Sequence, residues 1–166
     1  MVQKAKWATA RIFFLIAALA SAASGNVLGY LLGPLYSWYF FNDLNFLKYR
    51  QYFFPMTLCA SRLFFEWVRN PAYRRMFAIP LTSQPMVGPD LSQVRVSTAW
   101  PENDGCCNGC IQCCMQRSCP LLDIERNQCR SYGSFFWRFF NCGRYPETAA
   151  QIRYYECPKW EMSNQA

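Results

Sequence analysis

No histidine occurs among the 166 residues of the chain. Without an imidazole there can be no Ser-His-Asp triad, no Cys-His pair, no His-x-Glu deaminase site and no histidine-ligated zinc. Charge is scarce as well, at 16% of residues, and between Ile12 and Phe41 there is none. With 52% apolar residues the chain is not a disordered one, and 18% aromatics is a heavy load for a freely soluble domain. The length suits one modest domain with attachments and leaves no room for two large cores. Tandem repeats, low-complexity tracts and N-x-Ser/Thr sequons are missing too.

The charge that is present is unevenly spread. Residues 1–100 hold ten Lys/Arg against three acids, Asp43, Glu66 and Asp90, whereas residues 101–166 hold seven of each. The whole +7 excess therefore lies in the apolar part of the chain. A nucleic-acid binder would gather such charge on its folded face, so no nucleic-acid partner is expected and the excess reads as membrane topology.

The uncharged run IFFLIAALASAASGNVLGYLLGPLYSWYFF exceeds the roughly 20 residues that a helix needs to cross the hydrocarbon core. It predicts a span over about residues 12–36. The competing reading is a cleaved signal peptide, with Lys4, Lys6 and Arg11 as n-region and Ala20-Ser21-Ala22 as cleavage site, although the apolar run continues well beyond that point. Gly25, Gly29 and Gly33 recur every fourth residue, a spacing that lets another helix approach. Pro34 and the cluster Tyr36, Trp38, Tyr39 read as the end of the span and its interfacial belt.

A second apolar helix is expected over about residues 51–68, where Arg62 and Glu66 stand four apart and can pair on one face. If it spans, the two segments form a hairpin, and the basic flanks Lys4/Lys6/Arg11 and Arg69/Arg74/Arg75 place the rest of the chain in the cytoplasm or its equivalent. If it lies flat as an amphipathic helix, the cysteine-rich part falls on the opposite side. The hairpin is preferred because both basic flanks agree. Cys59, midway along the stretch, reads as an inert buried thiol. Residues 1–75 are thus the membrane anchor. Residues 76–104, with Pro80, Pro85, Pro89 and Pro101, read as an extended connector with a short strand around Val94–Ser97, and residues 105–166 as a small, irregular or helical cysteine domain.

Nine of the ten cysteines lie between Cys106 and Cys157. The core is Cys107-x2-Cys110-x2-Cys113-Cys114, followed by Cys119-Pro120, Cys129, Cys142 and Cys157-Pro158. Two-residue gaps let successive thiolates curl around one ion or cluster, and tight runs of this kind are how iron–sulfur proteins seize several corners of a cluster. Four thiolates satisfy zinc equally well. A disulfide-stapled exported domain competes, but adjacent cysteine pairs and the preferred topology speak against it. A redox dithiol at Cys107-x2-Cys110 lacks the surrounding βαβ pattern.

This order of residues resembles the YkgJ-like CxxCxxCC family of zinc- or iron-chelating domains, which is similar to the cysteine cluster of flagellin lysine N-methylases. The opening cluster matches Cys107, Cys110, Cys113 and Cys114, the Cys-Pro matches Cys119 and Pro120, and the next pair matches Cys129 and Tyr132. Later matches fall on Arg138, Cys142, Arg144, Tyr145 and Pro146. The resemblance covers residues 105–158. The chain departs from it after Tyr132, where GSFFWRFFNCGR is longer by about three residues, lacks a proline and inserts Gly143 between Cys142 and Arg144.

The ligand set expected from spacing and resemblance together is Cys107, Cys110, Cys113, Cys114, Cys119, Cys129, Cys142 and Cys157. It would serve one or two four-iron clusters, or zinc as the alternative. The aromatic block Phe135, Phe136, Trp137, Phe139 and Phe140 reads as core that would also keep water from thiolate-bound iron. Arg138 and Arg144 are placed either to offset cluster charge or to pair with Asp123, Glu125 or Glu147. The expected protein is a membrane-anchored iron–sulfur electron-transfer or accessory subunit, partnered by the bilayer and by other membrane subunits. Its expected location is a bacterial inner membrane, or the mitochondrial inner membrane if it is eukaryotic. The alternative is a structural zinc docking module. An enzyme acting alone is not expected, because no catalytic domain is evident.

Overall fold

The computed structural model describes residues 2–76, 88–100, 110–139, 146 and 148–163. It is mostly helical. Helices α1 (Val2–Ala23), α2 (Val27–Leu31), α3 (Gly33–Phe41), α4 (Phe46–Arg69) and α5 (Pro71–Met76) precede a smaller cysteine-bearing part. That part holds β1 (Val94–Val96), α6 (Gln112–Gln116), β2 (Leu122–Asp123), β3 (Gln128–Cys129), α7 (Phe135–Phe139), α8 (Ala149–Tyr155) and β4 (Trp160–Met162). Among the described residues, α1 alone is long and apolar enough to cross a membrane, over Lys4–Ala23.

The uncharged run does not continue as one helix. Gly25 at φ +59° and Asn26 at φ +71° turn it, in a left-handed conformation that glycine adopts freely and asparagine tolerates. Pro34 sits in the first turn of α3, where its missing N–H costs nothing. α3 then returns antiparallel along α1. The Phe14 ring lies 5.9 and 6.0 Å from those of Tyr39 and Phe40. Nearer the turn, Tyr36 donates its one hydroxyl proton to the Ala17 carbonyl at 3.0 Å and accepts from Ser21 at 2.6 Å.

The three spaced glycines have separate roles. Gly25 makes the turn, and a Cβ on Gly29 would meet the Asn26 side chain at 2.7 Å. At Gly33 a Cβ would stand 2.8 Å from the Phe46 ring, so only this one admits another helix, α4. Thr57 of α4 holds the Asn26 amide at 2.8 Å, and Phe53, only 2% exposed, packs against Tyr30 and Tyr36.

α4 ends where Asn70 leaves helical geometry and accepts from the backbone N–H groups of Ala72 and Tyr73, capping α5 behind Pro71. Its Arg62 and Glu66 do not pair with each other. Arg62 donates to the Arg117 carbonyl and Glu66 accepts from Asn70 at 2.7 Å, because backbone and cap partners lie closer to hand.

Tyr73 and Met76 of α5 form a buried core with Tyr155 of α8, backed by Leu63 and Cys113. The connector does contain the expected strand. β1 pairs antiparallel with β4, Val94 opposite Met162 and Val96 opposite Trp160. A second small ladder sets Leu122 of β2 opposite Cys129 of β3.

The aromatic block faces the helices. Phe136 packs on Phe14 and Phe40, Phe135 on Trp38 and Tyr39, and Phe139 on Trp7 at 4.8 Å. Of its described members Phe139 is buried and Phe135, Phe136 and Trp137 are half-buried, and the three phenylalanines dock the cysteine part onto the hairpin. Phe140 lies outside the described residues.

Candidate functional site

Of the eight cysteines expected as ligands, the described residues include Cys110, Cys113, Cys114, Cys119, Cys129 and Cys157; Cys107 and Cys142 lie outside them, as does Cys106. All seven described cysteines, Cys59 included, are partly buried, and Cys59, Cys110, Cys119, Cys129 and Cys157 carry free thiols.

Three of them share one local geometry. Cys119, Cys129 and Cys157 each open a tight turn in which their carbonyl accepts from the residue three places on: Leu122 at 3.1 Å, Tyr132 at 3.1 Å and Trp160 at 3.4 Å. In two of the turns the next residue is proline, Pro120 or Pro158, whose fixed φ suits that position. The turns direct backbone N–H groups at the sulfurs. Leu121 and Leu122 serve Cys119, Ser131 serves Cys129, and Lys159 and Trp160 serve Cys157. Hydrogen bonds to a charged form favour it, and the thiolate is the form that binds metal. Burial still pushes all three thiols up, and the N–H groups work against it.

Five of the seven described thiols fall into two groups. Cys129 lies opposite Leu122 in the small ladder, three residues after Cys119, and near enough to Cys119 that charge there raises Cys129. Cys59 joins this group from α4. Its sulfur lies 3.8 Å from the Arg117 carbonyl, and burial and Cys119 both raise its pKa. Cys59 is thus half-buried beside the cysteine part, where the sequence suggests an inert buried thiol. The second group is Cys110 with Cys157, brought together because Gln112 donates to the carbonyls of Tyr155 and Glu156, each at 2.9 Å. Cys113 is held in the Tyr73–Tyr155 core.

Arg117 is the residue that sequence reasoning passes over. Its Nε donates to Tyr155 Oη at 2.7 Å, and its charge lowers the pKa of Cys119 and of Cys59. Of the two arginines expected in that role, only Arg138 is among the described residues. Arg138 is exposed and donates to the Gly133 carbonyl at 3.1 Å, while Asp123 is paired with Arg130 at 2.7 Å. Arg144 lies outside the described residues. The one signal for Arg117 is its place two residues before Cys119.

These donors fit a soft metal chemically. Geometrically the described set is incomplete: among the described residues no three Cys, Asp or Glu side chains come together as a metal site. No family model, curated protein or solved structure matches the chain.

Proposed function

We propose that the chain is a membrane-anchored iron–sulfur protein, an electron-transfer or accessory subunit of a membrane redox complex, with its cysteine domain on the cytoplasmic face. The observation that carries this reading is the repeated turn at Cys119, Cys129 and Cys157. Three separate loops aim backbone N–H groups at sulfurs that have no disulfide partner, an arrangement suited to stabilising thiolates. A bound cluster would supply one-electron chemistry, and hydrogen bonds to its sulfurs would tune its potential.

Structural zinc is the second reading. Phe135 and Phe136 face the hairpin, so a dry wall around an iron centre would have to come from other side chains than these two. Metal analysis and EPR of anaerobically purified full-length protein separate the two. The expected result is brown protein with about four iron or more per chain, as four-iron clusters require. Colourless protein with stoichiometric zinc would leave only the docking module. Metal-free protein with paired cysteines would remove both readings.

A further inference from the structure

Both ends of the uncharged Ile12–Phe41 run are tied to the same piece of the cysteine part. Just before it, Arg11 of α1 donates to the Phe139 carbonyl at 3.2 Å; just after it, Asn42 donates to the Gly133 carbonyl at 3.1 Å. A run that leaves a polar domain and comes back to it ends on the side where it began, so it has not crossed a bilayer once. Its arms are also too short. At 1.5 Å per residue, Ile12–Ala23 rises about 18 Å and Val27–Phe41 at most about 22 Å, against a hydrocarbon core of about 30 Å. The first ten residues of α1 cannot lengthen the first arm, because Trp7 and Arg11 are occupied by α7.

The turn between the arms satisfies its backbone N–H groups internally, while the buried Asn26 Nδ2 has no hydrogen-bond partner among the described residues. Backbone N–H groups of Ser24, Gly25, Asn26 and Val27 reach carbonyls of the α1 end and the turn itself, and that of Leu28 reaches the Ser24 hydroxyl at 3.2 Å. Irregular backbone in hydrocarbon requires such internal satisfaction, whereas a turn in water does not.

Apolar stripes then face away from the cysteine part. On α1, Trp7, Arg11 and Phe14 meet α7, and Ile12, Ile16 and Leu19 lie exposed on the opposite face. On α4, Cys59 and Arg62 turn to Arg117, and Phe53 and Thr57 to the hairpin. Its third face carries Leu47, Phe54, Leu58 and Phe65, all more than half exposed and spaced i, i+7, i+11, i+18. Because Cys59 and Arg62 stay bonded to the cysteine part, the middle of α4 has not crossed either. Lys4, Lys6, Lys48 and Arg50 flank these surfaces with positive charge, which suits anionic headgroups.

We propose that the hairpin turn and the apolar stripes of α1 and α4 rest in one leaflet of an anionic bilayer, so that the chain enters the membrane and returns without crossing it. The inference rests on the membrane half of the function proposed above and is independent of the metal, so colourless protein would leave it standing. It differs from both one-span and two-span anchors at one testable place, the 42–45 connection.

The full chain is given protease-cleavable tags at its N-terminus, at Leu44, which is exposed in that connection, and at its C-terminus, in right-side-out and inside-out membrane vesicles. All three tags are expected on one side, cut together in one vesicle type and protected together in the other. Cleavage at 44 from the side opposite to the termini would establish two crossings. Termini on opposite sides would establish one. Either result overturns the proposal.

A second measurement tests the seat itself. Leu58→Glu with Phe65→Glu alters only exposed side chains and is expected to lower binding to phosphatidylcholine/phosphatidylglycerol vesicles by about tenfold or more, with helicity retained. Leu31→Glu, at a position 74% exposed in the hairpin, provides a check that does not involve α4. Unchanged vesicle binding in both variants, or a stable dimer that ignores vesicles, would assign the apolar stripes to a protein partner.

Discussion

The Cys59 sulfur of α4 lies 3.8 Å from the carbonyl oxygen of Arg117, and Arg62, one turn further along α4, donates to that same oxygen. One carbonyl thus joins the amphipathic helix to the loop that leads into Cys119.

Replacing Arg62 by Ala removes the charged donor of this pair. Hydrogen bonds to charged groups contribute about 1.5–3 kcal/mol when buried, and the exposure of Arg62 reduces this to about 1 kcal/mol. Urea unfolding should show that loss, with partial recovery in Arg62→Lys. Cys59→Ser keeps a donor of similar size. Since Cys59 is not in the proposed ligand set, metal content and colour should be unchanged, and a loss of iron in Cys59→Ser would add this thiol to the shell.

The turns at Cys119 and Cys157 owe their shape partly to the prolines behind them. Pro120→Ala and Pro158→Ala leave every sulfur in place and free only the backbone. Each should cost about 0.4–1 kcal/mol of pre-organisation, roughly a twofold to fivefold weakening of metal binding. Cys119→Ser or Cys157→Ser should abolish binding at that centre. Competition with a metal chelator ranks these variants, and proline variants as damaging as the serine variants would show that the turn geometry is not what holds the thiolates.

Much of this was legible in the sequence, and the remainder failed for identifiable reasons. The strand at Val94–Val96 follows from local chemistry, since β-branched residues act within a few positions, whereas Pro34, which reads as the end of a span, instead opens α3 in the first turn that tolerates proline. The apolar run reads as one span because hydropathy has no direction. What folds it back is the pair of left-handed residues Gly25 and Asn26, a signal two residues wide inside thirty uncharged ones. The cysteine spacing marks the ligands, but not that Cys59, sixty positions before Cys119, comes to stand beside it. Long-range placement of that kind depends on the docking of α4 against the Arg117 loop, which no periodicity encodes. Arg62 and Glu66 illustrate the same limit, because an i,i+4 pair is a local opportunity that stronger tertiary and capping partners override.

Alkaline pH should loosen the fold through Tyr73. This phenol is 3% exposed, and burial pushes its pKa well above the ordinary 10.0, the nearby Arg117 charge opposing only in part. In the unfolded chain the phenol loses its proton near pH 10, while in the folded chain it keeps it. The unfolded state therefore binds fewer protons above that pH, and stability falls as pH rises through the range between the two values. Below the ordinary pKa the contribution is constant. Thermal unfolding should show a midpoint that is level from pH 7 to pH 9 and declines above it. Tyr73→Phe should flatten the decline, and an equal decline in that variant would place the effect elsewhere.

Gly33 and Gly25 should respond to alanine for opposite reasons. At Gly33 the new Cβ would stand 2.8 Å from Cδ2 and 2.9 Å from Cγ of Phe46, closer than carbon atoms pack, so α3 and α4 must separate or the ring must move. Overpacking of this kind costs about 1–3 kcal/mol. At Gly25 nothing lies within 4 Å, but φ is +59°, and a side chain there costs about 1–2 kcal/mol of backbone strain, offset by about 0.4–1 kcal/mol from the stiffer unfolded chain. A second substitution separates the two causes. Phe46→Ala removes the ring that Gly33→Ala would strike, so the pair should cost less than the sum of its members, whereas Gly25→Ala with Phe46→Ala should be additive. Urea unfolding of the two cycles measures this directly. Additivity in the Gly33 cycle would mean that the α3–α4 approach is not held by contact between these two residues, and the close seating of α4 on the hairpin would then have to rest on Phe53 and Thr57.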